Sequence, residues 1–397
     1  MLIAGGGVAG TVAALAAAKA GLEPVIYEAY ERSAGLAHGV YLTVAVNGMD
    51  ALRAVDADHV VTSAGFPSAQ IRFFSGTGKP LGALPIGPVL PDGTATHTLR
   101  RSDLYDGLYR EAVARGVRIE HGKRLVGAER TNRGAVARFE DGTTAEGDLL
   151  VGADGVHSVV RRAVDPANPD PRYSGLGNTG GFTRAARIDA EPGDYNMIWG
   201  RKCFFGYTVS PEGEVWWFAN PPSTAERSRA ELRALSTDRL RAELVELLSA
   251  DRTVGAEIVK ATDGDFGITN QYDLPHVPTW HNDAMVVIGD AAHAVSPSSG
   301  QGASLAAEDA VTLARCLRDL QDVPKALETY ERLRRERVEH IAAWGARMNS
   351  TKKQGLVGRV LRDLVVPVFL KKAAKPEAMA KTAWVHHHHI DWDAPTA

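Results

Sequence analysis

Residues Gly5-Gly6-Gly7-Val8-Ala9-Gly10 constrain the fold of this chain more than any other stretch. Gly5, Gly7 and Gly10 spell G-x-G-x-x-G between residues 2–4, which read as the end of a short buried strand, and an Ala-rich helix that begins near Val8 and stops at Gly21. The spacing has a physical logic. The first glycine permits a tight turn, the second lets the backbone approach a pyrophosphate, and the third lets helix and strand pack closely. A second strand, residues 24–28, completes a β-α-β unit and ends on Glu28, which can accept from a ribose 2′-hydroxyl and favours an adenosine without a 2′-phosphate. The diphosphate would rest on the first amides of the helix, at Val8 and Ala9. Glycines alone suit a structural turn equally well; strand, helix and acid together point to a dinucleotide, with FAD and NAD both open on this motif.

The rest of the expected doubly wound sheet arrives late. Residues 117–120, a hairpin of 125–130 and 135–140, then 148–153 and 284–288 are its candidate members. Residues 68–99 and 173–272 alternate apolar and polar around Gly and Pro turns, the pattern of an antiparallel sheet. Helical periodicity takes over from Ala303, with a further helix over 326–348. The predicted fold class is therefore α/β, with an α+β second domain. A Rossmann-like, discontinuous dinucleotide-binding domain (1–67, 100–171 and 276–340) carries an antiparallel-sheet substrate domain (68–99 and 172–275), followed by a C-terminal helical segment (341–397). With 397 residues and 44% apolar content, the chain can fill two such cores.

A net charge of −3 gives no general attraction to nucleic acid or anionic membranes, leaving a small-molecule partner as the expectation. Two distant cysteines, Cys203 and Cys316, suggest neither a disulfide framework nor a metal knuckle, and a reducing cytoplasm fits. No secretory leader is read at the N-terminus, and no apolar run approaches the ~20 residues of a membrane span. His386 to His389 are consecutive and point in different directions, so they are read as uninvolved in metal binding. Residues 355–372 mix Leu and Val with Arg and Lys; a helix covering the substrate domain is preferred there over a membrane-binding one.

Two distant motifs narrow the cofactor. Gly289-Asp290-Ala291-Ala292-His293 follows an apolar strand, and Pro297-Ser298-Ser299-Gly300-Gln301-Gly302-Ala303 leads into a helix beginning near Ser304. Asp290 at a strand end can bind a ribityl hydroxyl. The glycines admit backbone amides to a flavin's pyrimidine edge, where a helix N-terminus stabilises the reduced anion. Asp154-Gly155-x-x-Ser158-x-x-Arg161 is the third motif; alone it reads as a capped helix with a surface arginine. His293 is read as structural.

In this order the three elements resemble the class A flavoprotein monooxygenases, the para-hydroxybenzoate hydroxylase-like family, in its compact branch of about 400 residues. The resemblance covers nearly the whole chain. It implies non-covalent FAD held by Gly5, Gly7, Val8, Ala9, Gly10, Glu28, Arg101 and Asp290, with Pro297, Gly300, Gly302 and Ala303 lining the isoalloxazine. It further implies that Asp154 serves the FAD and Arg161 the passing NADPH or NADH, that Gly39-Val40 approach the flavin's other side, and that Val126 touches adenine through its backbone. The implied activity is hydroxylation or epoxidation of a hydrophobic aromatic or polyketide-like molecule with NAD(P)H and O2, through a C4a-hydroperoxyflavin, by a monomer or homodimer. A non-oxygenating FAD enzyme, reductase or cyclase, is the alternative on the same scaffold; a flavin-binding pseudoenzyme is disfavoured by the intact motifs. Met197, Trp199, Phe205, Tyr207, Trp217 and Asn220 are the pocket candidates. No catalytic base is assigned, since spacing favours none of Tyr207, His38 and His97.

Overall fold

A computed structural model describes residues 1–32, 40–350 and 356–396. Leu2–Ala4 lies at the centre of a five-stranded, all-parallel sheet. Its neighbours are Val25–Tyr27 and Arg118–Glu120 on one side and Leu150–Gly152 and Met285–Val287 on the other. All five strands are short; the four other than Arg118–Glu120 are mostly buried, which explains their apolar character, while Arg118–Glu120 at the sheet edge is charged and more exposed. Helix Val8–Lys19 is buried along most of its length between this sheet and helix Gly302–Asp319. A helix enclosed on both sides needs small side chains all round rather than an amphipathic stripe, which accounts for its run of alanines.

The expected 125–140 hairpin does not join the parallel sheet. Leu125–Thr131, Gly134–Phe139 and Thr144–Gly147 form a separate antiparallel sheet of three strands. Their exposed polar residues on alternate positions fit a sheet wet on one face, whereas a parallel strand would be dry on both.

The second large element is a seven-stranded sheet. Its order is Ile268–Asp273, Arg172–Thr183, Val215–Asn220, Phe204–Val209, Tyr195–Trp199, Gln70–Ser75 and Pro80–Pro85. Every pairing is antiparallel except that of Tyr195–Trp199 with Gln70–Ser75. One face packs on helices Thr237–Leu248 and Gly255–Lys260 to make a core of its own; the other faces the parallel-sheet unit.

Helix Val323–Ser350 packs along Gly302–Asp319, and Leu356–Ala373 lies on strand Pro80–Pro85. After Pro376–His386 the chain returns to the first unit. There Asp50 accepts from the Ile390 amide at 2.8 Å and from His389 Nδ1 at 2.6 Å, and Arg318 donates to the Trp392 and Ala394 carbonyls. Among the described residues no helix is long and apolar enough to cross a membrane.

Candidate active site

The carboxyl ends of the parallel strands open onto a cavity of about 2290 Å³, whose opposite wall is the seven-stranded sheet. Ala4-Gly5, Tyr27-Glu28, Ala153-Asp154 and Asp290 all stand at strand ends and all line it. Ligands bind at this edge of an open α/β sheet because the loops and helix N-termini converge there.

The glycine turn divides its work between fold and cavity. Gly5 has φ +100°, and a Cβ there would meet the Ala153 carbonyl oxygen at 2.4 Å. At Gly10 a Cβ would stand 1.9 Å from the Gly5 oxygen, so this glycine permits packing and does not line the cavity. Gly7 is different: a Cβ at this position would have no nearer neighbour than Tyr105 Oη at 3.8 Å, so the space beyond it is the cavity itself. Glu28 accepts the Gly6 amide at 2.7 Å with one oxygen and the Tyr30 amide at 2.9 Å with the other, which fixes its carboxylate at the rim.

Helices Val8–Lys19 and Gly302–Asp319 both begin at this cavity. Neither has a side chain hydrogen-bonded to its first amides, and neither carries an acid in its first turn. Two uncompensated positive helix ends facing one space are suited to a diphosphate and to an anionic ring edge. Pro297, Gly300, Gly302, Ala303 and Val40 line the same space, and Gly300 takes φ +62° to turn the chain into the second helix. Asp290 is open to the cavity yet deep in the protein. Burial pushes its pKa up, while His293 and Arg101 pull it back. Arg101 also lines the cavity, donating twice to Tyr105 Oη. An adenine-to-isoalloxazine chain of groups, with FAD's polarity at each position, fits these residues.

The third motif is a local lattice. Asp154 accepts from the Val159 and Val160 amides at 2.7 and 3.2 Å and from Ser158 Oγ at 2.5 Å, while Ser158 Oγ accepts from the Arg161 amide at 2.9 Å. Arg161 departs from expectation. Its side chain is fully buried and donates to the carbonyls of Ala291 and Val156, so it braces the Asp290 turn and does not reach the cavity. Behind that turn Asp309 accepts from the Gly289 amide, His293 Nε2 and Arg334 Nε, and the neighbouring Glu308 is ion-paired to Arg334 and Arg337. His293 is thus a buried structural residue. Burial pushes the pKa of both carboxyls up, but Arg334 with Arg337 holds Glu308 at about 2, and His293 with Arg334 holds Asp309 there too.

The sheet wall corrects half of the expected pocket. Met197, Trp199 and Asn220 line the cavity, together with Phe204 and Phe218. Phe205, Tyr207 and Trp217 lie on the reverse face, in the core against helices Thr237–Leu248 and Gly255–Lys260. The register explains it: Met197 pairs with Gly206 and then Phe218, and Trp199 with Phe204 and then Asn220, so these share one face while Ile198, Phe205 and Ala219 share the other. Alternation along each strand would have found Phe204 and Phe218 once a single pocket residue was known. Tyr207 is therefore withdrawn as a base, and burial also raises its pKa. His97 bonds the Ala95 carbonyl and does not line the cavity. His38 and Gly39 fall outside the described residues. Val126 is exposed and off the cavity, which Leu125 lines instead.

The C-terminal helix brings in residues that no motif announced. Val385 and His386 line the apolar end of the cavity beside Ile86, Gly87 and Thr96. A Cβ on Gly87 would have Thr96 Oγ1 at 3.0 Å and His386 Nδ1 at 3.5 Å, and both atoms are buried with no hydrogen-bond partner among the described residues. Burial, with His387 and Arg337, lowers the His386 pKa to about 4, so the ring is neutral near pH 7.

A profile of the FAD binding domain family matches residues 1–344. Aurachin C monooxygenase/isomerase of Stigmatella aurantiaca is 30% identical over 355 residues, 88% of either chain. An FAD-dependent urate hydroxylase of Klebsiella oxytoca is 26% identical over 352 residues, 86% of this chain and 87% of the relative. Among solved structures, Klebsiella pneumoniae HpxO complexed with FAD and uric acid superposes with a TM-score of 0.83 at 22% identity, covering 97% of this chain and 96% of that one. With that extent of match and a cavity shaped for a flavin dinucleotide, the chain belongs to the FAD-binding family of class A flavoprotein monooxygenases.

Proposed function

We propose that the chain inserts one oxygen atom of O2 into a planar, mostly apolar aromatic or polyketide-like molecule, with NAD(P)H as electron donor, so that substrate, O2, NAD(P)H and a proton give oxygenated substrate, NAD(P)+ and water. The observation that carries this reading is the composition of one cavity. Its first wall offers two bare helix N-termini with Glu28 and Asp290, and its second wall is aromatic. Bound FAD supplies the redox and oxygen-activating chemistry; the side chains hold, orient and keep dry.

On this reading Gly7, Val8 and Ala9 seat the diphosphate, Glu28 the adenosine ribose and Asp290 the ribityl chain, while residues 300–303 face the pyrimidine edge. Asp154 does double service as helix cap and cavity wall. Val40, Tyr41 and the 297–303 loop flank the ring. Residues 1–67, 100–171 and 276–340 serve as the flavin-binding unit and 68–99 with 172–275 as the roof over the substrate. Met197, Phe204, Phe218, Phe73 and Leu84 would grip the substrate's faces, and the unpaired Thr96 and His386 atoms would receive its single polar substituent. An apolar molecule bearing one hydroxyl or carbonyl satisfies both. His386, neutral near pH 7, accepts or donates a hydrogen bond without adding charge. Excluding water matters because leakage diverts reducing equivalents into hydrogen peroxide.

The test is direct. The purified protein should carry FAD, bleach anaerobically with NADPH or NADH, and consume O2 faster with a substrate, the product incorporating label from 18O2. Flavin reduction without label in any product would move the chain to the reductase or cyclase alternative.

A further inference from the structure

Helix Leu356–Ala373 is amphipathic in the wrong sense for a helix that only covers a domain. Its inward face is already satisfied: Leu370 and Val366 pack on Phe73 and Leu81, and Arg362 is buried against the Trp199 carbonyl. Leu361, Leu364, Val365, Val368 and Phe369 follow at i, i+3, i+4, i+7 and i+8, and each is 53–70% exposed. Soluble surfaces rarely leave five large apolar side chains in one uncovered stripe. Lys371, Lys372, Lys375 and Lys381 stand exposed beside it, against Glu377 as the exposed acid of the same segment, on a chain whose net charge is −3. The stripe also reaches the cavity mouth, for Phe369, Lys372, Ala373 and Met379 belong to the lining.

We propose that this face docks on the surface of an anionic phospholipid bilayer, lying in the headgroup region with the apolar stripe buried and the lysines against lipid phosphates, and that the cavity thereby opens toward the acyl chains. An apolar stripe with flanking lysines on a helix too polar to span is the pattern of an interfacial helix. Charge selects the occupant. A second copy would bring the same four lysines against these, whereas an anionic membrane supplies their counter-charge. The negative net charge of the whole chain does not oppose this, because salt screens charges beyond about 8–10 Å, and the segment itself carries four exposed lysines against Glu377 and Asp363, the latter ion-paired to Arg362.

The experiment uses the full FAD-loaded chain with two kinds of vesicle, phosphatidylcholine alone and phosphatidylcholine with about a third phosphatidylglycerol. Co-sedimentation should favour the anionic vesicles by about tenfold or more and fall with added salt. Leu364→Glu/Val368→Glu and Lys371→Glu/Lys375→Glu should each weaken it by about an order of magnitude. None of these four residues lines the cavity, so the flavin spectrum and melting temperature should stay those of the parent, which separates lost docking from lost fold. Vesicle binding that is absent, or indifferent to both variants, overturns the proposal. So does a dimer, seen by light scattering, that Leu364→Glu/Val368→Glu dissociates, which would give the face to a second copy.

Discussion

Gly7 and Gly10, neighbours in one turn, should respond in opposite ways to the same substitution. In Gly10→Ala the new methyl would lie 1.9 Å from the Gly5 carbonyl oxygen and 3.2 Å from Ala153 Cβ. Both are fixed by the parallel sheet, so the start of the helix must retreat by roughly 1 Å against a close-packed neighbour. Overpacking of this kind costs about 1–3 kcal/mol. Alanine returns about 1 kcal/mol through helix propensity. The net is a destabilisation of up to about 2 kcal/mol, or a melting temperature lower by up to several degrees at about 2–4 °C per kcal/mol. In Gly7→Ala the nearest atom is Tyr105 Oη at 3.8 Å, and the backbone, φ −73° and ψ −170°, suits any residue. The apoprotein should hold its stability or gain about 0.4–1 kcal/mol from a less disordered unfolded chain. Its methyl, however, takes the space assigned to the diphosphate, and FAD should bind about 10–100-fold more weakly, or about 1.4–2.7 kcal/mol. Calorimetry on the flavin-free proteins and FAD titration by fluorescence quenching measure the two effects separately. If Gly7→Ala melts early without flavin yet binds FAD normally, the division of labour between these glycines is wrong.

Asp290→Asn should keep the fold but weaken FAD binding about tenfold, because one charged acceptor at the ribityl position becomes a neutral amide; unchanged affinity by the same titration removes Asp290 from the site. Arg334→Met leaves Glu308 and Asp309 buried without the guanidinium they share, and urea unfolding at pH 7 should show a loss of about 3–5 kcal/mol. In the parent chain those two carboxyls sit at about 2, below their unfolded values near 4. Their contribution is therefore present above about pH 4 and lost as the pH falls toward 2. Arg334→Met should flatten that acid limb, and an unaltered limb counts against the network. His386→Phe should erase any preference of the holoenzyme for 2-naphthol over its methyl ether, read as flavin absorbance changes on titration, with FAD affinity unchanged. A preference that survives the substitution assigns the polar subsite elsewhere. Burial pushes the Cys316 thiol up to about 12, so a disulfide reagent should label it only on unfolding.

Much of the first wall of the cavity was legible because its determinants are local. Gly5, Gly7, Glu28, Asp154, Asp290 and Gly302 each work through a turn, a strand end or a helix start, and a few neighbouring residues specify such features. The same locality misled at Arg161. Its spacing after Asp154 is local, but whether its guanidinium meets a ligand or the Ala291 carbonyl depends on a turn 130 residues away. At Val126 the strand parity turns the side chain outward, and the cavity is lined by Leu125 instead. The mixed set of pocket candidates has the same origin. Alternation says that Phe204 and Phe205 face opposite ways, and only the pairing with Tyr195–Trp199 and the helices behind say which way is toward the flavin.

What the sequence by itself determined is the kind of cavity: a nucleotide cradle of glycines, strand-end acids and bare helix N-termini, because those are written in short stretches with one low-energy geometry each. What only the tertiary structure decided is who shares the cavity with the flavin. The aromatic face of the sheet, the unsatisfied Thr96 and His386 atoms, and the outward apolar stripe of Leu356–Ala373 are assembled from segments far apart in the chain. Side-chain alternation fixes only relative facing, and absolute facing is set by which surfaces the packed chain leaves uncovered.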